Sequence, residues 1–467
     1  MAAATPARWP GGLTPAAGHI SLFKITMSTL VHAAQSSVHQ SEQLLSGILI
    51  QLAIIVAAGR LGGELAARFG QARVVGEMLV GILLGPTLFG ALAPDLFRVV
   101  FTDVPPAPMM ILSQIGLILL MFEIGMEFDF SLLANNHHQR ATTLVSVLGI
   151  VVPFALGLLF GYYAAPILAP GINQMGCALF VATAFSITAL PTLGRILMEF
   201  RLTRAPIGVV AISAAAVNDV VGWLILMVVS ALAISSFSFA NFSLRLLALA
   251  VYGVVCWYLL RPQLRRLISV DIRRNPGLSS NLLTTMLVLL FVSALMTYLI
   301  GIFAIFGGFM LGLLVHDQRE FTEQWADKVG RFVQVLLLPV FFTYTGLRTN
   351  VGSLTTASDW VWCALLISVA TLGKFGGGYI AARLAGTDHI SAKILGLLMN
   401  TRGLMELIVL NIGLDMGFIS HKLFTMLVLM ALASNVMTTP GLRRWLPSLG
   451  ERYKTAEDEP AARQHAS

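Results

Sequence analysis

Apolar runs of about 20 residues recur along most of this chain, and no other feature limits its fold as tightly. A run of that length crosses a hydrocarbon core of about 30 Å as an α-helix, because lipid offers no partner for backbone N–H and C=O groups. The runs divide into about 13 spans. They lie near residues 46–67, 73–93, 109–128, 141–166, 174–198, 206–232, 243–260, 281–300, 301–316, 332–347, 359–385, 391–413 and 421–442. The shorter ones at 301–316 and 332–347 contain Gly or Pro, which leaves room for a tilted or partly broken helix. Composition agrees: 57% of the residues are hydrophobic and 11% charged, whereas a soluble domain carries about 25% charged residues. The fold class expected is an all-α polytopic membrane protein.

The net charge of +7 is distributed as a topology signal. Odd-numbered loops hold Arg68, Arg73, Arg140, Arg201 and Arg204, the group Arg261, Arg265, Arg266, Arg273 and Arg274, then Arg319, Lys328, Arg331 and Lys393. The end of the chain adds Arg443, Arg444, Arg452 and Lys454, while even-numbered loops hold little beyond Arg98, Arg245, Arg348 and Lys422. By the positive-inside rule the C-terminus is cytoplasmic and the N-terminus outside. Loop charge of this kind argues against a nucleic-acid partner and for the lipid bilayer. Short loops and no organelle-targeting pattern make the inner (plasma) membrane of a bacterium the expected location. Residues 1–43 read as an arm, either disordered or shortened if Met27 is the true start; residues 44–443 read as the transmembrane domain and 444–467 as a short cytoplasmic tail. Cys177, Cys256 and Cys363 all sit inside apolar runs and read as small core hydrophobes. The chain has no HExxH, no GxSxG and no Cys/His metal spacing, so neither an enzyme nor a cofactor is expected.

Polar groups inside the spans carry the chemistry. Asn218-Asp219 stands at the centre of the run from Ala205 to Val229. A carboxylate at mid-depth costs on the order of 2.5–3.5 kcal/mol on insertion scales, so its presence there points to function. Lys374 lies near the middle of the span 359–385, and Arg402 lies mid-span in 391–413 with Glu406 one turn on. Buried charges normally pair, so these groups suggest one shared site. Two spans also look broken at that depth. One holds Ser186, Thr188, Ala189 and Pro191; the other holds Asn400, Thr401, Arg402 and Gly403. Each is the middle member of a trio, spans 4–6 and 11–13, which is the pattern of an inverted repeat with an ion site between its halves.

Five segments then carry a resemblance: GEMLVGILLGPTLFG (Gly76 to Gly90), LILLMFEIGMEF (Leu117 to Phe128), TAFSITALPTLGRILMEFRL (Thr183 to Leu202), SAAAVNDVVGW (Ser213 to Trp223) and NTRGLMELIVLNIGLD (Asn400 to Asp415). Together they resemble the monovalent cation:proton antiporter superfamily, in its second branch with plant cation/proton exchangers and bacterial potassium-efflux antiporters. The resemblance covers about residues 46–442. It implies a dimerisation domain and a core domain built of two inverted three-helix units whose middle helices unwind and cross, working as a homodimer by alternating access. It also implies that Asp219, with Asn218 and Thr188, binds the proton or the transported Na⁺ or K⁺, and that Lys374 stands beside that pair. The unwound crossing would include Thr188, Ala189, Pro191, Asn400, Thr401 and Arg402. Many bacterial sodium/proton antiporters have two consecutive aspartates where this chain has Asn218-Asp219; the Asn-Asp form is associated with electroneutral exchange. Glu123 occupies a motif position that is commonly apolar, and reads as a local feature near the end of span 3.

The expected mechanism is competition for Asp219, which holds a proton or a dehydrated cation but not both. Asn218 does not titrate, so one carboxylate gives one proton per cation unless Lys374 also releases one. Lys374 is either a charge-compensating group or a purely structural ion-pair member; Arg402 organises half-helix ends or binds ions; Glu406 is a packing partner or a pathway residue. Ser186 and Thr188 either join the site or only rebond backbone freed by Pro191. The competing functional readings are a sodium-coupled symporter of a small organic anion, which needs a wider cavity, and a cation channel, which needs rings of carbonyls or acidic groups.

Overall fold

The computed structural model describes residues 17–127, 139–200, 202, 205–233, 239–275, 277–301 and 303–449, and among them every regular element is a helix. The helices are α1 (Ala17–Arg68), α2 (Arg73–Leu92), α3 (Ala107–Glu127), α4 (Gln139–Leu168), α5 (Gln174–Ser186), α6 (Leu190–Glu199), α7 (Pro206–Ala233), α8 (Ser243–Arg274), α9 (Ser280–Ile300) and α10 (Ala304–Leu314). There follow α11 (Arg319–Gly330), α12 (Val333–Ser353), α13 (Ala357–Leu384), α14 (His389–Met399), α15 (Leu404–Asp415) and α16 (His421–Trp445). Among the described residues nine helices are long and apolar enough to cross a membrane, or ten if the bent pair α11–α12 is one span.

Three expected spans are not single long helices. Residues 174–198 form α5 and α6 with a break between them, residues 391–413 form α14 and α15 with another, and residues 301–316 form only the short α10. The expected span at 332–347 also starts earlier, since α11 leads into α12 across a bend of 41°. Lys328 and Arg331 therefore belong to this helical pair and not to a loop. Their charges are met locally: Lys328 Nζ donates to the Leu278 carbonyl at 2.8 Å, and Arg331 pairs with Asp327 at 2.6 Å.

The breaks have local causes. α5 starts where the Asn173 side chain accepts the Gly176 amide at 2.8 Å, and it stops at Ser186. α6 restarts with Pro191 in its first positions, where the missing N–H has no helical partner to lose. α14 starts where Asp388 accepts the amides of Ile390 and Ser391 at 3.1 and 3.0 Å. It ends at Met399, and Gly403 stands just before α15. By contrast α13 is a single 28-residue helix opened by a capping box between Thr356 and Asp359.

Packing separates the helices into two groups. α4, α5, α7, α13, α14 and α16 pack on one another, with α6 against α7 and α15 against α16. α1 lies along α2, α2 and α3 along α12, and α3 and α9 along α10. The first group thus contains two trios of the same form, unbroken–broken–unbroken: α4, α5/α6, α7 and α13, α14/α15, α16.

In the second group glycines set the spacing. A Cβ at Gly81 of α2 would lie 2.6 Å from the Phe342 carbonyl oxygen of α12. Backbone meets backbone there, so the clash cannot be relieved by a rotamer change. Gly81→Val is expected to destabilise the protein by about 1–3 kcal/mol or more, read as a lower midpoint of thermal unfolding in detergent; an unchanged midpoint would show that α2 and α12 are not held this closely. Glu123 lies in the same group and is 5% exposed, accepting the Gln334 amide of α12 at 3.2 Å. Glu77 is half-buried beside Gly63 of α1, whereas the side chain of Glu127 lies outside the described residues.

Candidate functional site: the crossing of two broken helices

The two broken helices meet through their backbones. The amide of Ala189, between α5 and α6, donates to the Thr401 carbonyl, between α14 and α15, at 3.2 Å. A Cβ at Gly403 would come within 2.5 Å of Thr192 Oγ1, so the crossing has no room for a side chain there. Thr188, Ala189 and Thr401 are buried. Pro191 contributes its place in the first turn of α6; its side chain lies outside the described residues.

A helix end leaves its last four carbonyls without helical partners, and at the buried end of α5 each of them is supplied. Ser186 Oγ donates to the Thr183 carbonyl at 2.8 Å. Arg402 Nη1 donates to the Ala184 carbonyl at 2.8 Å, and Nη2 to the Phe185 carbonyl at 3.1 Å. Lys374 Nζ donates to the Ser186 carbonyl and to the Gly149 carbonyl of α4, the latter at 2.8 Å. Both cations are 0% exposed. They sit where the partial negative charge of a helix C-terminus favours positive charge. Ser186 therefore rebonds backbone, and Lys374 and Arg402 cap a half-helix in mid-fold.

Arg402 has two further ties. Its Nη1 lies 3.0 Å from Glu406 Oε1, and its backbone amide donates to Asn435 Oδ1 of α16 at 3.0 Å. Glu406, 1% exposed, lies in the first turn of α15, where a negative charge meets the positive end of the helix. Among the described residues its second oxygen has no hydrogen-bond partner, nor do the side-chain atoms of the buried Asn400.

Asp219 faces this crossing from α7 and is 3% exposed. The Leu190 amide, at the start of α6, and the Lys374 ammonium act on its carboxylate. Among the described residues neither carboxylate oxygen makes a hydrogen bond of ordinary geometry. Beside it, the amide group of the buried Asn218 lies 3.3 Å from Thr188 Oγ1. The amide orientation that satisfies its surroundings has the nitrogen donating to the Ser146 carbonyl at 3.0 Å and the Ala214 carbonyl at 3.2 Å. In that orientation the atom near Thr188 is the amide oxygen. Asn218 and Thr188 thus bring neutral oxygens together at the crossing that Asp219 faces. Among the described residues no three His, Cys, Asp or Glu side chains come together as a resident metal site would require.

Lys374, Arg402, Glu406 and the Asn218-Asp219 pair thus gather around one crossing. Sequence reasoning missed Ser146, Gly149, Ala184 and Phe185, which act through backbone carbonyls and carry no side-chain signal. Asn435 was also missed, and an asparagine inside an apolar run was a signal available for it. At the other end of α15, Arg348 of α12 donates to Asn411 Oδ1 at 3.0 Å and pairs with Asp415. Asn411 Nδ2 donates to Thr345 Oγ1 at 2.8 Å. These bonds join the two packing groups.

The sequence profile described as "Sodium/hydrogen exchanger, transmembrane" matches residues 51–446. The chain belongs to the sodium/hydrogen exchanger family. This exchanger is 37% identical over 403 residues to the Na(+)/H(+) antiporter NhaS4 of Synechocystis, covering 84% of this chain and 95% of that one. It is 33% identical to Cation/H(+) antiporter 17 of Arabidopsis thaliana over 85% of this chain and 48% of the relative. With K(+)/H(+) antiporter 1 of Saccharomyces cerevisiae it shares 30% identity over 79% of this chain and 43% of the relative. The exchanger therefore spans nearly all of the Synechocystis relative and about half the length of the plant and yeast ones. Its fold is similar to that of the sodium proton antiporter MjNhaP1 of Methanocaldococcus jannaschii, with a TM-score of 0.59 at 17% identity over 88% of this chain and 99% of that structure.

Proposed function

We propose that this chain exchanges a monovalent cation, Na⁺ or K⁺, for protons across a membrane by alternating access. One observation carries the reading: a buried carboxylate, Asp219, with neither oxygen hydrogen-bonded in ordinary geometry among the described residues, facing the crossing of two broken helices. One carboxylate with neutral partners matches the charge of a monovalent ion, and the same oxygens accept a proton. Asn218 and Thr188 complete the ion site. Lys374 and Arg402 hold the half-helix ends apart from transport, and Glu406 balances Arg402. The names of the relatives, Na(+)/H(+) and K(+)/H(+) antiporters among them, support this chemistry.

Residues 44–443 form the transporting domain. Its first packing group is the moving core and its second the dimerisation scaffold of a homodimer, in the inner membrane with the N-terminus outside and the C-terminus cytoplasmic. Motion of α15 past α12 has to break the Arg348 bonds, so these are the contacts that differ between the two access states. Asp219 alone titrates in each cycle, which makes the exchange electroneutral.

The test is a vesicle carrying a preformed proton gradient. Addition of Na⁺, K⁺ or Li⁺ dissipates the gradient without any organic substrate; a gradient untouched by all three cations sinks the proposal. Lys374→Ala separates its two roles. Removal of the ammonium leaves the Gly149 and Ser186 carbonyls unpaired, at about 1–3 kcal/mol each. Thermal stability is expected to fall while cation-dependent exchange persists at a reduced rate and still with one proton per cation. A changed proton count in that variant would make Lys374 a transported-proton site.

A further inference from the structure

α8 is a 32-residue helix, roughly 48 Å long at 1.5 Å per residue against a hydrocarbon core of about 30 Å. Its apolar first part fills the core, so its end, which holds Arg261, Arg265, Arg266, Arg273 and Arg274, stands at the headgroups. These arginines differ in their partners. Arg261 lies 3.9 Å over the Trp257 ring and 3.2 Å from Asp317, and Arg265 pairs with the same carboxylate. Arg266 and Arg274 are exposed and form no ion pair among the described residues.

Arg266, Val270 and Arg274 are spaced four residues apart and so share a face of α8. That face and the start of α9 enclose an open groove of about 620 Å³. Its floor is apolar, with Leu267, Val270 and Leu282, and its acidic wall residue, Asp271, is occupied by Asn275 and Ser279. Asn281 and Thr285 line the α9 side, and the same face continues through Val288, Val292 and Leu295, all exposed.

We propose that this groove binds an anionic phospholipid, its phosphate held by Arg266 and Arg274 and an acyl chain laid along Val288, Val292 and Leu295. Guanidinium forks suit a phosphodiester, and basic pockets between helices at the membrane surface suit anionic headgroups. The apolar track favours a lipid over a free anion. A second copy seated on the same face by two-fold symmetry would bring unpaired arginines of like charge together.

The test uses the full chain, purified in detergent, titrated with phosphatidylglycerol or phosphatidylcholine and read by native mass spectrometry. Wild type is expected to retain phosphatidylglycerol in preference to phosphatidylcholine. Arg266→Gln/Arg274→Gln loses about 25-fold in phosphatidylglycerol affinity, at roughly fivefold per arginine, while Arg273→Gln, outside the groove, keeps it. Equal binding of the two lipids by wild type overturns the proposal without any variant. So does equal phosphatidylglycerol binding by wild type and the double variant, displacement of the lipid by millimolar inorganic phosphate, or a lower oligomeric mass in the double variant.

Discussion

Asp219→Asn protein in vesicles shows no cation-dependent proton flux above that of protein-free vesicles, and it remains folded. The substitution keeps the side chain's shape and removes the one group in the oxygen cluster that can carry either a proton or a compensating charge. Because neither carboxylate oxygen is hydrogen-bonded in ordinary geometry, the amide loses no strong bond. A buried carboxylate without full pairing is itself costly, so thermal stability is expected to hold or rise. Lost transport with retained stability is the signature of an ion site. Lost transport together with unfolding would mark a structural carboxylate, and retained flux would remove Asp219 from the mechanism.

Arg402→Met is expected to have the largest effect on stability. The methionine fills similar volume but frees the carbonyls of Ala184 and Phe185 and strands the carboxylate of Glu406. Breaking a buried pair from one side costs about 3–5 kcal/mol. The midpoint of thermal unfolding in detergent therefore falls sharply, and Arg402→Met/Glu406→Gln recovers part of the loss because the stranded charge is gone. The carbonyls at the end of α5 stay unpaired in both variants, so recovery is incomplete. A single variant with wild-type stability would mean that Arg402 does not hold the half-helix end.

Much of this arrangement was legible in the sequence because lipid restricts what a chain can do. Runs of 20 apolar residues had to be helices, and Asp219, Lys374 and Arg402 were conspicuous as charges in the wrong solvent. The breaks were legible too: Pro191 in one span and Asn400 to Gly403 in another mark backbone that a continuous helix would not tolerate. A break near 332–347 was legible from its Gly and Pro, but the helix before it, α11, was not. Lys328 and Arg331 looked like loop charges, but long side chains can stay helical by reaching local partners, here the Leu278 carbonyl and Asp327. For Arg402 the sequence left open an organiser of half-helix ends or an ion ligand, and its partners are two carbonyls at the end of α5 together with Glu406. The partners of Lys374, the Ser186 and Gly149 carbonyls, were hidden. Backbone acceptors have no residue identity, so no pattern of side chains could name them.

Sharing of the Asp219 carboxylate between proton and cation is read out by proton release when purified protein in weakly buffered detergent solution binds Na⁺ or K⁺ over a series of pH values. Competition at Asp219 predicts that, where pH is low enough for the carboxyl to hold a proton, one proton leaves per cation bound and apparent Kd rises about tenfold for each unit fall in pH, that both effects fade together as pH rises and the carboxyl empties, and that Asp219→Asn abolishes the release. Cation binding with a pH-independent Kd and no proton release, or release that survives Asp219→Asn, would contradict it.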